Sequence, residues 1–303
     1  MALTINTNLS SMIVQSNLAK STNQLNSAIE RMTTGYKINH AGDNAAGYSI
    51  ARNWEAQLSS LDIAADNAAM GSDMLSTLED HYALISSHVQ RVRDLTEQAA
   101  NGTYGKQSLE AIESEIAARL QEIDRIASNC EYNGVQMMDG TSAVARAIQV
   151  GTDGTQGKSQ ITLAASLFSS AKVSSLFTVT GTGAYTPTGS DDAALAKLAK
   201  DCAGTSTGTG AKKPTEMLAT IDAVISKISE RSTTLGAAQN RIESAIESIG
   251  VQSENITSSL STLRDADVAE ESSNYIKAQI LQQASATLLA TANQSPSIAL
   301  NLL

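Results

Sequence analysis

The chain has 303 residues and a formal net charge of −10 at pH 7, with 42% hydrophobic but only 3% aromatic residues. The acidic balance, without a basic stripe interleaved with aromatic residues, argues against a nucleic-acid partner. No run of about 18 apolar residues could cross a membrane, and the composition favours long packed helices over a thick globular core.

The first residues lack the positive region, the apolar region and the cleavage site of a Sec-type signal peptide. Any export is therefore expected to use another route.

The two ends of the chain are nearly uncharged. Residues 1–29 carry only Lys20 and residues 272–303 carry only Lys277, while apolar residues recur in both at helical spacing. A helix that faces solvent normally keeps a charged side, so these ends are expected to be surrounded by protein in an assembly. Ordering a residue costs about 1–2 kcal/mol of backbone entropy, which two thin helices cannot offset. We therefore expect the ends of the monomer to be disordered until neighbours arrive.

A bend and a helical hairpin follow the N-terminal segment. Gly42–Gly47 has the two glycines of a phosphate-binding loop but lacks the Lys-Ser/Thr that should follow them, so we interpret it as an interruption between helices. Apolar residues then step by 3 and 4 through Leu75–Val92, the spacing of a coiled-coil seam. Residues 101–105 predict a turn, and a second apolar stripe runs through residues 109–128.

The middle of the chain, residues 141–213, is rich in Gly, Ser and Thr and is expected to form an exposed insert. The sequence predicts a β-hairpin of residues 147–150 and 160–163, a further strand at 175–180 and a short helix at 193–199.

A long helix is predicted after the insert. Pro214 marks its start, and apolar residues step by 3 and 4 through Ile221–Ile242. A helix from about Thr215 to Leu263 would be roughly 70 Å long at 1.5 Å per residue. Such a rod needs packing partners along its length, so the N- and C-terminal helices are expected to meet in one unit, with the insert in another.

The two cysteines give no clear sign of a disulfide. Cys130 lies four residues after Ile126 on an apolar stripe, which favours a buried hydrophobic role. Cys202 lies in a Gly/Ser/Thr-rich stretch, and a disulfide between the two stays open as the alternative.

No pattern of residues predicts catalysis. His40, His81 and His88 form no metal-binding spacing, and the last two are expected to be a surface pair. A nucleophile elbow and a matched pair of acids are also absent from the sequence, so it predicts a non-enzyme without metal or cofactor. Arg91, Leu95 and Gln98 lie near one helical face, and spacing alone makes it an ordinary solvated face.

Several separated motifs nevertheless resemble those of bacterial flagellins, the subunits of the flagellar filament. They occur in the family's order and extend over residues 1–165 and 214–303. The matching motifs are Ala28–Gly35, Asp43–Gly47, Gln90–Leu95, Tyr132–Gly134, Leu235–Arg241, Ala278–Ala284, Ala292–Gln294 and Leu302–Leu303.

The resemblance implies a mainly α fold: a long antiparallel helical and coiled-coil bundle formed by the N- and C-terminal segments, with a small β-hairpin and a short variable insert. It implies an inner-tube domain of residues 1–43 and 260–303, an outer-tube domain of residues 44–165 and 214–259, and a surface-exposed variable insert of residues 166–213. The residues expected to pack the inner tube are Leu18, Leu25, Ile29, Ile276, Ile280 and Leu289.

The same resemblance implies self-assembly into a secreted, extracellular filament that serves as a propeller for swimming. Besides further copies of the chain, the implied partners are the flagellar type III export apparatus, a cytosolic chaperone at the C-terminal segment, and filament-cap and hook-junction proteins. Flagellins are also sensed by a Toll-like receptor, and the family's contact residues match Arg91, Leu95, Gln98 and Glu115. Candidate sites for O-linked sugars are Ser169, Ser170, Thr205 and Thr207.

Three other functions compete with the filament subunit. The hook–filament junction protein has similar ends. A flagellin that carries a metallopeptidase insert would need an HExxH motif, which the sequence lacks, and the small insert leaves little room for the dedicated domain of an adhesin.

Overall fold

The computed structural model describes residues 8–140, 143–153, 159–178, 191–207 and 212–300, without the side chains of residues 191–192 and 295–300. The helices are α1 (Leu9–Thr34), α2 (Ala45–Ala100), α3 (Lys106–Asn129), α4 (Val173–Leu176), α5 (Asp191–Ala203), α6 (Pro214–Arg264) and α7 (Val268–Leu300). The strands β1 (Glu131–Tyr132) and β2 (Val135–Gln136) form one antiparallel pair, and β3 (Arg146–Gln149) and β4 (Gln160–Leu163) form another. The prediction of a mainly α fold is confirmed.

The chain divides into two compact units. A terminal unit comprises residues 1–59 and 252–303, and a central unit comprises residues 60–251. The long helices α2 and α6 each contribute to both units.

In the terminal unit, α1 and α7 form an antiparallel pair along a seam of small residues. Ala28 on α1 and Ala278 on α7 are buried. Arg31 forms an ion pair with Glu271 at one end of the pair, with 3.1 Å between Nη1 and Oε1. At the other end the side-chain amide of Asn8 donates to the carbonyl of Ala292 at 2.8 Å. The two helices therefore run past each other over most of their lengths.

This pairing differs from the expectation of disordered ends. Residues 9–34 and 268–300 are helical, because each helix uses the other as its packing partner. The expectation fails for these residues, and residues 1–7 and 301–303 lie outside the described part of the chain.

The interruption predicted at the glycine bend is confirmed. The chain leaves α1 through Gly35, whose φ of 74° is the left-handed conformation that glycine adopts without strain. The α2 helix begins at Ala45, where the side-chain oxygen of Asn44 accepts a hydrogen bond from the N–H of Gly47 at 3.0 Å. That bond satisfies one of the free donors of the first helical turn.

The segments that join α1 to α2 and α6 to α7 are bonded to each other. The N–H of Lys37 donates to the carbonyl of Arg264, and the N–H of Ala266 donates to the carbonyl of Gly35. The Arg264 guanidinium lies 4.1 Å from the centre of the Tyr36 ring and forms an ion pair with Glu55. Arg264 thus contacts the segment that joins α1 to α2 and also pairs with Glu55 in the first part of α2.

The central unit has a core between α2, α3 and α6. The apolar seam predicted through Leu75–Val92 of α2 is buried. The apolar residues at helical spacing within Ile116–Ile123 of α3 are buried as well. The same holds for the apolar residues of the predicted stripe Ile221–Ile242 of α6. The predicted helical hairpin is confirmed, since α2 ends at Ala100 and α3 begins at Lys106. The predicted long helix matches α6 to within one residue at each end.

The predicted β-hairpin is also confirmed. β3 and β4 are paired with Ile148 opposite Ile161. A Cβ on Gly71 of α2 would lie 2.4 Å from Cδ1 of Ile148, so the hairpin can approach the helix closely only because residue 71 is a glycine.

The strand predicted at 175–180 is wrong for its described residues. The chain forms the short helix α4 there, and the Asp124 carboxylate accepts a hydrogen bond from the N–H of Val173, at 2.6 Å, where that helix starts. Lys227 Nζ donates to the carbonyl of Ser175 at 3.1 Å. These contacts with α3 and α6 override the strand propensity of the segment, and residues 179–180 lie outside the described part. The helix predicted at 193–199 is confirmed within α5.

The expectation of a surface-exposed insert fails for much of the described part of residues 166–213. Phe168 and Phe177 are the two phenylalanines of the chain, and both are fully buried in the central core. Leu198 and Ala199 of α5 are buried in the same core. Large apolar side chains gain about 1.5–3 kcal/mol from full burial, which explains why these stretches pack against the helices.

Both cysteines are free thiols buried in the central unit, so the disulfide is not formed. Burial raises the pKa of Cys130 and of Cys202 to about 12 from the ordinary value of 9.0. Both thiols therefore stay protonated in the folded protein near neutral pH.

Alkaline pH is expected to destabilise the central unit because the thiols can ionise only after unfolding. Above pH 9 the unfolded chain binds fewer protons than the folded chain, so the free energy of unfolding falls as pH rises. The fall is about 1.4 kcal/mol per thiol between about pH 8 and pH 10. Urea titrations at the two pH values measure it. The variant Cys130→Ala/Cys202→Ala should show a much smaller fall, and an equal fall would contradict the assignment.

Candidate assembly surface and recognition site

The α1–α7 pair leaves a large apolar surface uncovered. On α7, Ile276 is 51% exposed and Ile280 is 59% exposed, and together with Leu281 they border a shallow groove of about 410 Å³. Further exposed apolar side chains of the pair are Leu9, Met12, Ile13, Ile29, Met32 and Leu288. On a soluble protein, a large exposed apolar patch typically marks an interaction site.

The six residues predicted to pack the inner tube separate into two groups. Leu18, Leu25 and Leu289 are half-buried within the terminal unit, whereas Ile29, Ile276 and Ile280 are exposed. The second group is therefore available to contact other molecules. The exposed Leu9, Met12 and Ile13 were not predicted from the sequence, although their helical spacing was a usable signal.

The residues predicted for receptor recognition lie on α2 and α3 in the central unit. Arg91 Nε donates to Glu115 Oε1 at 2.9 Å, and Nη2 lies 2.8 Å from the same oxygen. Both side chains are partly exposed. Arg119 approaches Glu115 from the next turn of α3, at 3.8 Å. The turn between the helices thus brings together two charges that are 24 positions apart in the chain.

The other two predicted contact residues differ in exposure. Gln98 is exposed, and its side-chain amide donates to the hydroxyl of Tyr104 at 2.8 Å. Leu95 is only 2% exposed and belongs to the core. Leu95 supports this surface from beneath and offers almost no area for direct contact.

Of the four candidate glycosylation sites, Thr207 has an exposed side chain. Ser169 Oγ donates to the carbonyl of Ser166, Ser170 Oγ accepts from the N–H of Lys172, and Thr205 Oγ1 donates to Glu113. Sugar attachment at the four positions stays a prediction.

Neither a metal centre nor a membrane-crossing helix is found in the described part of the chain. No group of three or more His, Cys, Asp and Glu side chains there could hold a metal ion. The helices of that part are not long and apolar enough to span a membrane.

Two regions of the chain match models of known protein families. Residues 5–143 match the bacterial flagellin N-terminal helical region, and residues 218–303 match the bacterial flagellin C-terminal helical region. The chain belongs to the bacterial flagellin family. The resemblance inferred from the ordered motifs is confirmed.

Full-length relatives agree with this assignment. The flagellin of Bacillus subtilis (strain 168) is 34% identical, and the alignment covers 99% of each chain. The flagellin of Xenorhabdus nematophila is 36% identical over 100% of each chain. A solved structure from Vibrio parahaemolyticus, provisionally named a flagellar hook-associated protein, covers 74% of this chain and 100% of its own at 14% identity. Its TM-score of 0.58 shows a similar fold alone.

This flagellin is a filament subunit of the bacterial flagellum and acts outside the cell as part of the self-polymerised filament. Flagellins are structural proteins, so family membership confirms the prediction of a non-enzyme.

Proposed function

We propose that this flagellin polymerises through α1 and α7, which form the inner layer of the filament. The observation that carries the proposal is the exposed apolar surface on α1 and α7, which carry only Lys20 within residues 9–29 and only Lys277 within residues 272–300. Burial of one exposed aliphatic side chain contributes about 1.5–3 kcal/mol, and the surface presents several. A contact between the α1 face of one copy and the α7 face of the next joins two different surfaces, and such a head-to-tail contact builds a helical filament when its rotation does not close a ring.

The inner layer would comprise residues 1–43 and 260–303, the outer layer residues 44–165 and 214–259, and the insert residues 166–213. The filament would turn as a propeller for swimming. We further propose export through the flagellar type III apparatus, a cytosolic chaperone that covers the C-terminal apolar segment, and contacts with the filament-cap and hook-junction proteins. The exposed apolar side chains of α7 support the need for a chaperone before assembly.

Seeded polymerisation of the purified protein tests the filament function. With sheared filaments as seeds, electron microscopy is expected to show long filaments whose length increases with protein concentration. The alternative, a hook–filament junction protein, predicts that growth stops after a few layers. Full-length identity of 34% and 36% to flagellins supports the filament subunit over that alternative.

A second proposed function is recognition of the monomer by an innate Toll-like receptor. The partly exposed Arg91–Glu115 pair supports it, because the two side chains lie side by side on a rigid helical hairpin beside Gln98. A rigid polar surface can be read by a partner at a small cost in conformational entropy.

The variant Arg91→Ala is expected to weaken receptor signalling by the monomer about tenfold or more. The substitution removes the guanidinium that would form a charge-assisted contact with the receptor, and Glu115 is left with Arg119 as its remaining ion-pair partner among the described residues. A reporter-cell assay of the purified monomer measures it. Arg125→Ala is the matched control, because Arg125 pairs with Glu122 on the exposed side of the same helical hairpin. Unchanged signalling by Arg91→Ala would refute the recognition site.

A further inference from the structure

The turn between α2 and α3 exposes a chemically labile pair of residues. Asn101 and Gly102 are both exposed, and they form one of the two Asn-Gly dipeptides of the chain; the other is Asn133–Gly134. The side chain of an asparagine before glycine can react with the main chain, because the missing Cβ leaves the next peptide nitrogen open to approach. Both pairs are exposed to solvent, so the backbone around each pair decides which of them reacts.

At Asn101 the surroundings favour this reaction. Within the described part of the chain the N–H of Gly102 donates no hydrogen bond, so a base from solvent can remove its proton. The side-chain oxygen Oδ1 of Asn101 accepts a hydrogen bond from the N–H of Thr103 at 3.3 Å. That bond folds the side chain back over the Gly102 peptide. It also places a donor on the oxygen where negative charge develops when the side-chain carbonyl is attacked.

At Asn133 the backbone is held in place. Asn133 and Gly134 join β1 to β2 and have φ values of 49° and 77°. Two strand pairs close this turn, and beyond them the N–H of the buried Met137 donates to the carbonyl of the buried Cys130 at 2.9 Å. Ring closure requires the main chain to rotate at the asparagine, and here that rotation must first open the hairpin. The α2–α3 turn lies outside both strand pairs and has no such restraint.

We propose that Asn101 is a site of spontaneous deamidation. The Gly102 nitrogen loses its proton and forms a bond to Cγ of Asn101, and the Cγ–Nδ2 bond breaks. The side-chain amide takes up that proton and leaves as ammonia, so a five-membered succinimide remains. Water then opens the ring. Attack at the Cγ carbonyl gives aspartate, and attack at the main-chain carbonyl gives isoaspartate. No oxidant or reductant takes part in either step.

The product changes the end of α2. It places a carboxylate immediately after that helix, whose last turn contains Glu97 and no basic residue. A negative charge at the C-terminal end of a helix opposes the helix dipole. Isoaspartate also adds one methylene group to the main chain of the turn, where the N–H of Tyr104 donates to the carbonyl of Asn101 at 3.5 Å. The converted turn therefore stabilises the end of α2 less than the original one.

Peptide mapping of the aged protein tests the proposal. After incubation of the full-length monomer at physiological temperature, trypsin releases the two Asn-Gly pairs in separate peptides, residues 94–106 and 126–146. Mass spectrometry should show that Asn101 converts at least about tenfold faster than Asn133, because Asn133 must wait for local opening of the hairpin. An isoaspartyl methyltransferase with a labelled methyl donor identifies the isoaspartyl product. In urea, where the fold restrains neither asparagine, the two rates should become similar.

Two glycine variants of the same turn separate this chemistry from general ageing of the sample. A Cβ on Gly102 would meet no atom within 4 Å, so Gly102→Ala is expected to fold normally. The added methyl group shields the attacking nitrogen and should slow conversion of Asn101 about tenfold or more. Gly105→Ala is the matched control, because its Cβ is equally free of contacts and the residue does not follow an asparagine.

Three results would overturn the proposal. The first is a folded protein that keeps the Asn101 amide over the time in which both asparagines convert in urea. The second is conversion of Asn133 in the folded protein as fast as that of Asn101. The third is an unchanged rate at Asn101 in Gly102→Ala, since attack by the Gly102 nitrogen would then not be the rate-limiting chemistry.

Discussion

Phe168→Ala is expected to lower the free energy of unfolding of the central unit by about 3–5 kcal/mol. The Phe168 ring is fully buried, and the guanidinium of Arg146 lies 5.2 Å from its centre. Removing the ring creates a cavity in a core that α2, α3 and α6 hold rigid, so relaxation cannot fill it.

Polar contacts around the ring make collapse of that cavity still harder. Tyr82 donates a hydrogen bond to the carbonyl of Leu167, and Arg231 Nη1 donates to the carbonyls of Ser169 and Ser170 at 3.3 and 3.1 Å. The backbone on both sides of Phe168 is therefore fixed to α2 and α6.

Urea denaturation followed by circular dichroism measures the effect. Leu84→Ala on α2 is the control, because Leu84 is half exposed and its loss should cost well under about 1 kcal/mol. Equal stability of Phe168→Ala and the unaltered protein would mean that the middle segment is not part of the core.

Helical elements could be predicted from the sequence because one regular pattern specifies them. The stripe of α6 repeats in steps of 3 and 4 and Pro214 marks its start, so the predicted bounds differ from the observed ones by one residue at each end. The burial of Leu95 was also predictable: it continues the seam three residues after Val92 and four before Ala99.

The middle segment could not be predicted in the same way. The stretch that begins at Ser175 has strand propensity, but Asp124 and Lys227, which are distant in sequence, stabilise a helical turn there. Burial of Phe168 and Phe177 likewise depends on a core built by other segments. The high content of Gly, Ser and Thr indicated an exposed insert. Composition alone does not show where the few large apolar residues of that segment pack.

The candidate sites show the same division. The pairing of Arg91 with Glu115 follows from the predicted turn between two helices. Helical spacing also places Leu289 about 140° around α7 from Ile276, but it does not show which of these two faces packs against α1. The difference arises from how α1 lies against α7, which only the structure shows.

Deletion of residues 272–303 is expected to abolish filament formation. The deletion removes the exposed Ile276 and Ile280 together with Ala278, which packs against α1. α1 then has neither its partner within the chain nor the α7 surface that would contact other copies, and a helix in a protein takes most of its stability from packing of its apolar face.

The deleted protein should keep its central unit, because that core is built from residues outside the deletion. Its thermal unfolding in circular dichroism is therefore the control for folding. Sedimentation and electron microscopy with seeds should detect no polymer at concentrations where the unaltered protein is fully polymerised. Ile280→Asp is expected to raise the critical concentration strongly by burying a charge at the contact, whereas Gln283→Ala, at an exposed polar position of the same helix, should not. Filaments from the deleted protein would show that α7 is dispensable, and assembly would then have to be carried by the central unit.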